Sequence, residues 1–350
     1  MIISSAADHE MVEWNKFVSL HILSGHYYDW KWGSIFKDCF GHRSYRFVAR
    51  DGPQIRGVLT LVEIRSPITG SSLISMPYLN GGGILASNIV AVSMLASQAE
   101  CARRSSGSAV LELRHRGNEL GLQLGWPSRS HKVAMLLPLK SDPESLFASF
   151  GGKLRSQIRR SGKAGFVMQF ARGNSFHRKE LDGFYDVFAC NMLRLGTPVY
   201  PISLFEHTLR EFGLSAGLFT VWLKRKCVAG AITVGSGAVV EVPWASSLYE
   251  YTNLAVNMGL YWDVLRRSCL DGYTTFDFGR STPGSGTYYF KKQWGAEPLE
   301  LHWSYQLAPG ARQPDRDPRS PRYRLATKVW QRLPIAATRT LGPWLTRWLP

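Results

Sequence analysis

Phe276-Asp277-Phe278-Gly279-Arg280-Ser281, followed by Phe290-Lys291-Lys292-Gln293-Trp294-Gly295, is the stretch from which the rest of the chain is read. Phe276 and Phe278 alternate with Asp277, the pattern of a short half-buried strand. Thr282-Pro283-Gly284-Ser285-Gly286 then breaks it as a loop. Lys291 follows, between an aromatic run (Tyr288, Tyr289, Phe290) and Trp294. A cation among apolar walls at a strand end can stabilise developing negative charge, because excluding water strengthens the interaction. The same spacing also suits a strand, a turn and a lysine whose stem lies along apolar surface.

Around this stretch the composition sets limits. A chain of 350 residues has room for two domains, and 45% hydrophobic residues are enough for a core. The formal net charge of +16 points to an anionic partner: nucleic acid, phosphorylated lipid or an anionic membrane surface. The five cysteines (Cys39, Cys101, Cys190, Cys227, Cys269) are scattered without a CxxC pair, which predicts reduced, mostly buried thiols rather than a disulfide framework. No HExxH and no paired Cys/His spacing occurs, so no metal site is expected. The first ten residues lack a signal-peptide pattern, and no window approaches the ~20 apolar residues that span a bilayer. A cytoplasmic location is expected.

Towards the N-terminus, residues 8–40 read as two helices. Asp8 is a candidate cap of the first, and the second carries Tyr27, Tyr28, Trp30, Trp32, Ile35, Phe36 and Phe40. This aromatic stripe suits a core more than a cleft. Residues 44–79 alternate as a three-stranded meander with turns at Asp51-Gly52 and Thr69-Gly70. Gly81-Gly82-Gly83 would allow a ligand close to the backbone, or serve as a flexible turn. A helix over 87–104 and strands at 109–113 and 133–139 follow. Arg114-His115-Arg116 reads as a polar strand end.

Residues 153–163 (Lys-Leu-Arg-Ser-Gln-Ile-Arg-Arg-Ser-Gly-Lys) predict a basic amphipathic helix suited to phosphates, with Arg155 and Arg159 as candidates. A solvated surface explains the same charges. Arg159-x-x-Gly162-x-Ala164 matches a loose pyrophosphate-binding pattern, but it closes a helix and precedes a strand, where the pattern needs the reverse. Helices over 175–195 and 204–212, strands at 218–223, 228–234 and 239–244, a helix over 254–270 and a closing strand at 299–306 complete this half. The element order of the two halves suggests two copies of one α+β fold.

Pro314, Pro318 and Pro321 among arginines predict a linker. Residues 325–350 are basic, Trp-rich and broken by Pro334 and Pro343. They suit an interfacial membrane anchor, or a C-terminal helix docked on the body.

The run from Phe276 to Gly295, with Leu195-Gly196-Thr197-Pro198-Val199-Tyr200 and Glu241-Val242-Pro243-Trp244-Ala245-Ser246-Ser247, resembles the FemAB family of the GNAT superfamily. It looks most like the FemAB-like proteins that accompany exosortase/PEP-CTERM and exopolysaccharide systems. The resemblance covers about residues 10–307. It implies an α+β protein of two GNAT-like domains, each a mixed, mostly antiparallel sheet flanked by helices. Their bounds are 1–145 and 146–308, followed by the segment 309–350.

The resemblance further implies acyl or aminoacyl transfer to an amine of a cell-envelope or exopolysaccharide precursor. The donor would be aminoacyl-tRNA or an acyl-CoA, with no cofactor, and the acceptor lipid-linked or a saccharide. Lys291 would stabilise the oxyanion, and Asp277 and Arg280 would shape the site or form an ion pair that holds the loop. Tyr200, Trp244 and Tyr289 are candidate cleft walls, and Trp294 a further substrate contact. The expected protein is a monomer, peripheral to the inner face of the membrane through 325–350, with no DNA partner. Three rival readings stay open: an acetyl-CoA-dependent N-acetyltransferase, an RNA binder, and a membrane-tethered scaffold without activity.

Overall fold

The computed structural model describes residues 1–21, 25–67, 70–313 and 321–349. Thr69, Pro314 and Pro318 lie outside these residues. The chain opens with β1 (Ile2–Ser5), α1 (Met11–Ser19) and α2 (Lys31–Phe40). The meander is β2 (Arg43–Asp51), β3 (Gln54–Ser66) and β4 (Gly70–Ile74), with a short β5 (Leu85–Ala86). Next come α3 (Ile89–Ser105), β6 (Val110–Arg116) and β7 (Ser128–Pro138). Two helices, α4 (Pro143–Ser149) and α5 (Gly152–Gly162), lead to β8 (Val167–Arg172). They are followed by α6 (Arg178–Leu195), α7 (Ile202–Phe212), β9 (Ala216–Leu223), β10 (Lys226–Ser236) and β11 (Val239–Ser247). The second half ends with α8 (Val256–Leu270), β12 (Thr275–Ser281), α9 (Gly286–Lys292) and β13 (Glu297–Leu307). The tail forms α10 (Pro321–Trp330) and α11 (Ile335–Thr346).

The strands form one mixed sheet in the order β1-β2-β3-β4-β6-β13-β7-β12-β11-β10-β9-β8, with β5 beside β3. Each half contains an antiparallel meander, a helix and a parallel return. β4 pairs β6 in parallel from Ser72↔Val110 to Ile74↔Glu112, around α3. β11 pairs β12 in parallel from Val239↔Thr275 to Glu241↔Asp277, around α8. A parallel pair needs such a crossover, so the sequence reading of two copies of one α+β fold holds at the level of topology. β13 lies between β6 and β7, and β7 pairs β12, so the sheet runs without a break across the 145/146 position.

The aromatic stripe is core: Trp14, Trp32, Ile35 and Phe36 are buried and pack against Phe205, Phe212 and Trp244 of the second half. Tyr27 and Tyr28 precede α2, in a short 3-10 turn, instead of lying within the helix. Cys227 and Cys269 are buried, Cys39 is half-buried, and Cys101 and Cys190 are exposed, so fewer thiols are inside than the sequence suggested. Pro334 does end a helix-free turn at the start of α11, but α11 runs through Pro343. Proline removes one helical N–H, and docking holds the remainder: Gly342 sits so close to Val199 that an added Cβ would meet its backbone nitrogen at 2.8 Å.

Candidate active site

Beyond Glu241 and Asp277, β11 and β12 no longer pair, although β11 continues to Ser247 and β12 to Ser281. Both strands are bulged at this point. Two residues of β11, Val242 and Pro243, stand against one of β10, which places the missing proline N–H at a bulge where no ladder bond is lost. On β12 the register against β7 shifts between Asp277 and Arg280, with Gly279 at φ +73°. A left-handed residue at a bulge favours glycine and turns the following carbonyls aside. The parted inner edges leave backbone groups that an extended ligand could pair.

The turned carbonyls are held by the lysine. Lys291 on α9 donates from Nζ to Gly279 O at 2.9 Å and to Arg280 O at 2.8 Å. Ser285 caps α9 by accepting from Tyr288 N, which fixes where the helix begins and so where Lys291 falls. An ammonium has three donors, so one N–H remains beyond these two bonds. Lys291 is only 7% exposed. Burial lowers its pKa to about 8, opposed by the carboxylates of Asp277 and Glu241.

Those carboxylates face each other across the last paired register of β11 and β12, and both are buried. Each is met by the first half. His26 Nε2 lies 2.7 Å from Glu241 Oε2, and Asn80 Nδ2 donates to Glu241 Oε1 at 3.1 Å. Arg116 Nη2 donates to Asp277 Oδ2 at 2.5 Å, and Gly279 N donates to Asp277 Oδ1 at 2.7 Å. Arg116 also stacks on Tyr27, 4.7 Å from the ring centre. Burial pushes Asp277 up; Arg116 opposes this, and Glu241 adds to it. Burial acts likewise on Glu241, yet the His26 hydrogen bond, aided by Arg116, brings it below the usual value. The result is a buried cluster of two cations and two carboxyl groups beside the parting.

The corresponding parting in the first half is filled. Ser75 N donates to Glu112 O, and Gly83 N donates to Arg114 O. Arg114 donates from Nη1 to the carbonyls of Met76 and Leu79, and from Nε to Glu112. The glycine triplet serves this filling and is neither a ligand loop nor slack: a Cβ at Gly83 would meet His115 at 2.4 Å, and one at Gly81 would meet Arg116 at 2.8 Å. Arg114-His115-Arg116, read as a polar strand end, is buried throughout.

The sequence candidates divide. Lys291 and Asp277 are at the parting. Arg280 contributes its carbonyl, while its side chain is exposed beside Trp303; the ion pair of Asp277 is with Arg116. Tyr200 is half-buried against Tyr78, with ring centres 5.8 Å apart, and Tyr289 is exposed. Trp244 is not an open wall: it is buried between Trp32 and Phe205. Trp294 is 1% exposed in the core with Phe150, Tyr261 and Phe278, so it supports α9 from below. Arg155 donates to Ala148 O and Arg159 stacks on Phe147, both on the α4/α5 side. His26, Asn80, Arg116 and Glu241 were missed as site residues. The described residues hold no His/Cys/Asp/Glu cluster fit for a metal ion.

Residues 148–292 match the family model of the acetyltransferase (GNAT) domain, which ends on the lysine pair of α9. FemX matches over 87% of this chain and 97% of its own, with TM-score 0.67 and 17% identity. This is a tandem GNAT fold. A tandem GNAT protein from the clavulanic acid biosynthesis pathway covers 89% of this chain and 99% of its own, with TM-score 0.54 and 13% identity. The C-terminal domain of a putative lysylphosphatidylglycerol synthetase from Agrobacterium fabrum covers 85% and 92%, with TM-score 0.56 and 13% identity. No curated protein matches the sequence. The GNAT domain match supports an acyltransferase, and the structural likenesses show the fold.

Proposed function

We propose that this chain is a FemAB-type transferase that moves an acyl or aminoacyl group onto an amine of a cell-envelope or exopolysaccharide precursor. The observation that carries the reading is Lys291. It is a nearly buried ammonium held on two bulge carbonyls where two parallel strands part, and it has a donor to spare. In the reaction, the amine nitrogen attacks the donor carbonyl and the C=O electron pair moves onto oxygen. The remaining N–H of Lys291 stabilises that oxyanion in a site from which water is excluded. Collapse breaks the bond to the leaving group, and the proton lost by the attacking nitrogen ends on it, giving the ribose hydroxyl of tRNA or the thiol of CoA. Neither a metal nor a covalent enzyme intermediate is needed; positioning and charge stabilisation suffice.

Arg155 and Arg159 are the proposed phosphate contacts of the donor or lipid carrier. The half-buried Tyr200 and the exposed Tyr289 are the proposed substrate contacts, and Asp277 the support of the bulge. The lipid named by the Agrobacterium relative favours an acceptor met at a membrane, reached through the basic C-terminal segment. The match to an acetyltransferase model favours the second reading, acetyl-CoA-dependent N-acetylation.

Radiolabelled aminoacyl-tRNA and acetyl-CoA, each given with a membrane extract and with Lys291→Met as control, separate the two. Lysine-dependent transfer from tRNA is the expected outcome. Transfer from acetyl-CoA establishes the second reading. Transfer from neither rejects both in favour of an RNA-binding or scaffold role.

A further inference from the structure

α11 is amphipathic the wrong way round. Its buried positions are Thr338, Gly342 and Thr346, four residues apart on one stripe. The residues it leaves exposed include Leu341 and Trp344, the latter at 54%. α10 adds Leu325 at 65% and Val329 at 56%, one turn apart on the same side of that helix. Ile335 and Leu349 are exposed as well. A surface helix ordinarily turns its apolar stripe to the core and its small or hydroxyl residues to water. Exposed apolar surface of this kind marks a contact with something else.

The inner face is bound at several points, so the arrangement is not a loose tail. Arg339 pairs with Asp186 of α6 at 2.5 Å. Gln331 Nε2 donates to Arg194 O at 2.7 Å, and an added Cβ on Gly196 would meet Thr327 at 2.2 Å. At the other end Tyr78 of the first half donates to Arg347 O at 3.2 Å. His42 lies 2.7 Å from the same hydroxyl, and Tyr78 packs on Tyr200. The two helices therefore strap the halves together, and one end rests on the aromatic pair Tyr78–Tyr200.

We propose that the outer face of this strap is the surface that lies on an anionic lipid bilayer. Charge chooses the occupant. Residues 321–350 carry Arg322, Arg324, Lys328, Arg332, Arg339 and Arg347 and not one Asp or Glu. Arg324, Lys328 and Arg332 are exposed beside the apolar residues. Cations around Leu, Val and an exposed Trp are the chemistry of interfacial helices, with the apolar side chains in the acyl boundary and the cations at lipid phosphates. No described helix is long and apolar enough to cross a membrane, so the contact is peripheral. The proposal deepens the reading of a membrane-met acceptor and rests on it for its purpose, but not for its test.

That test is co-sedimentation with vesicles of phosphatidylglycerol and phosphatidylcholine, or of phosphatidylcholine alone, together with tryptophan emission. The full chain is expected to bind the anionic vesicles, with a blue shift, and to release as salt rises. Lys328→Glu/Arg332→Glu, at exposed positions, should weaken binding by at least about thirtyfold, since each juxtamembrane cation contributes roughly fivefold. Leu341→Ser/Trp344→Ser should abolish the blue shift while the thermal melt stays cooperative. Failure to bind anionic vesicles, or equal binding by these variants, overturns the proposal. So does a wild-type dimer in sedimentation that the Trp344 variant loses, which would assign the face to a second copy. Lys291→Met should bind vesicles like the wild type, so a failed transfer assay and a failed membrane assay are told apart.

Discussion

His26 and Glu241, 215 residues apart in sequence, meet at 2.7 Å in the buried centre of the molecule. A third residue holds the ring in place. The indole N–H of Trp32 lies 2.9 Å from His26 O and 3.1 Å from His26 Nδ1. Facing a carboxylate, which can only accept, His26 donates from Nε2 to Glu241. A loop of the first half thus holds a carboxylate of the second half at the point where its strands part. His26→Ala leaves a buried carboxylate short of a donor, and a stability loss of about 1–3 kcal/mol is expected in urea unfolding, more because the acceptor is charged. His26→Gln, which keeps a donor, should recover part of it.

The Arg116–Asp277 pair should behave more severely. Removing one member of a buried ion pair strands the other. Arg116→Met is expected to cost about 3–5 kcal/mol in urea unfolding. Arg116→Met with Asp277→Leu should cost less than Arg116→Met alone, because no charge is then left unpaired.

Lys291 predicts two pH signatures of opposite sense. As the ammonium donor, it should support a rate that falls as pH rises through about 8, its lowered value. Lys291→Met should lower the rate about 10²–10³-fold and remove that step. Stability moves the other way. Between pH 8 and 10.5 the unfolded chain holds the proton that the folded chain has released, so wild-type stability rises over that window. Denaturant titrations at pH 7, 8, 9 and 10 should show the rise in the wild type and a flatter line in Lys291→Met.

His42 gives an acid counterpart. Burial lowers its pKa to about 4, with Arg347 adding to the effect. From pH 6.5 down to 4 the unfolded chain takes up the proton first, so stability should fall over that range. His42→Gln should reduce the slope.

Gly279 is the backbone test. At φ +73° an alanine there costs about 1–2 kcal/mol and disturbs the carbonyls that Lys291 holds. Gly279→Ala should therefore reduce transfer by more than its loss of thermal stability accounts for. Gly284→Ala, at a similar φ in an open loop, serves as the control.

Much of the second half was legible because its strands are apolar runs between clear turns, and because Phe276-Asp277-Phe278 leads to a lysine flanked by aromatics. Lys291 could be singled out from that pattern alone. Arg116, Glu241 and His26 could not, because each takes its meaning from a partner more than 150 residues away. Trp244 and Trp294 misled for a related reason: an aromatic residue in a short motif looks the same whether it lines a cleft or supports one. The orientation of α11 was also hidden. Its composition suits both a docked helix and a membrane contact, and only the position of Thr338, Gly342 and Thr346 on the inside shows that docking leaves the apolar face outward.

The place of β13 matters for how the molecule is made. It is the last of the described strands, yet it occupies the middle of the sheet, between β6 and β7. While the polypeptide is leaving the ribosome, both neighbours present open edges until residue 307 has emerged, and open edges recruit strands from other chains. The N-terminal half cannot finish folding on its own during synthesis. Its completion waits for β13, which emerges only after the other strands of the second half. Shortened products that stop before Glu297 would carry two unpaired central edges and should aggregate rather than fold as a smaller version of the protein.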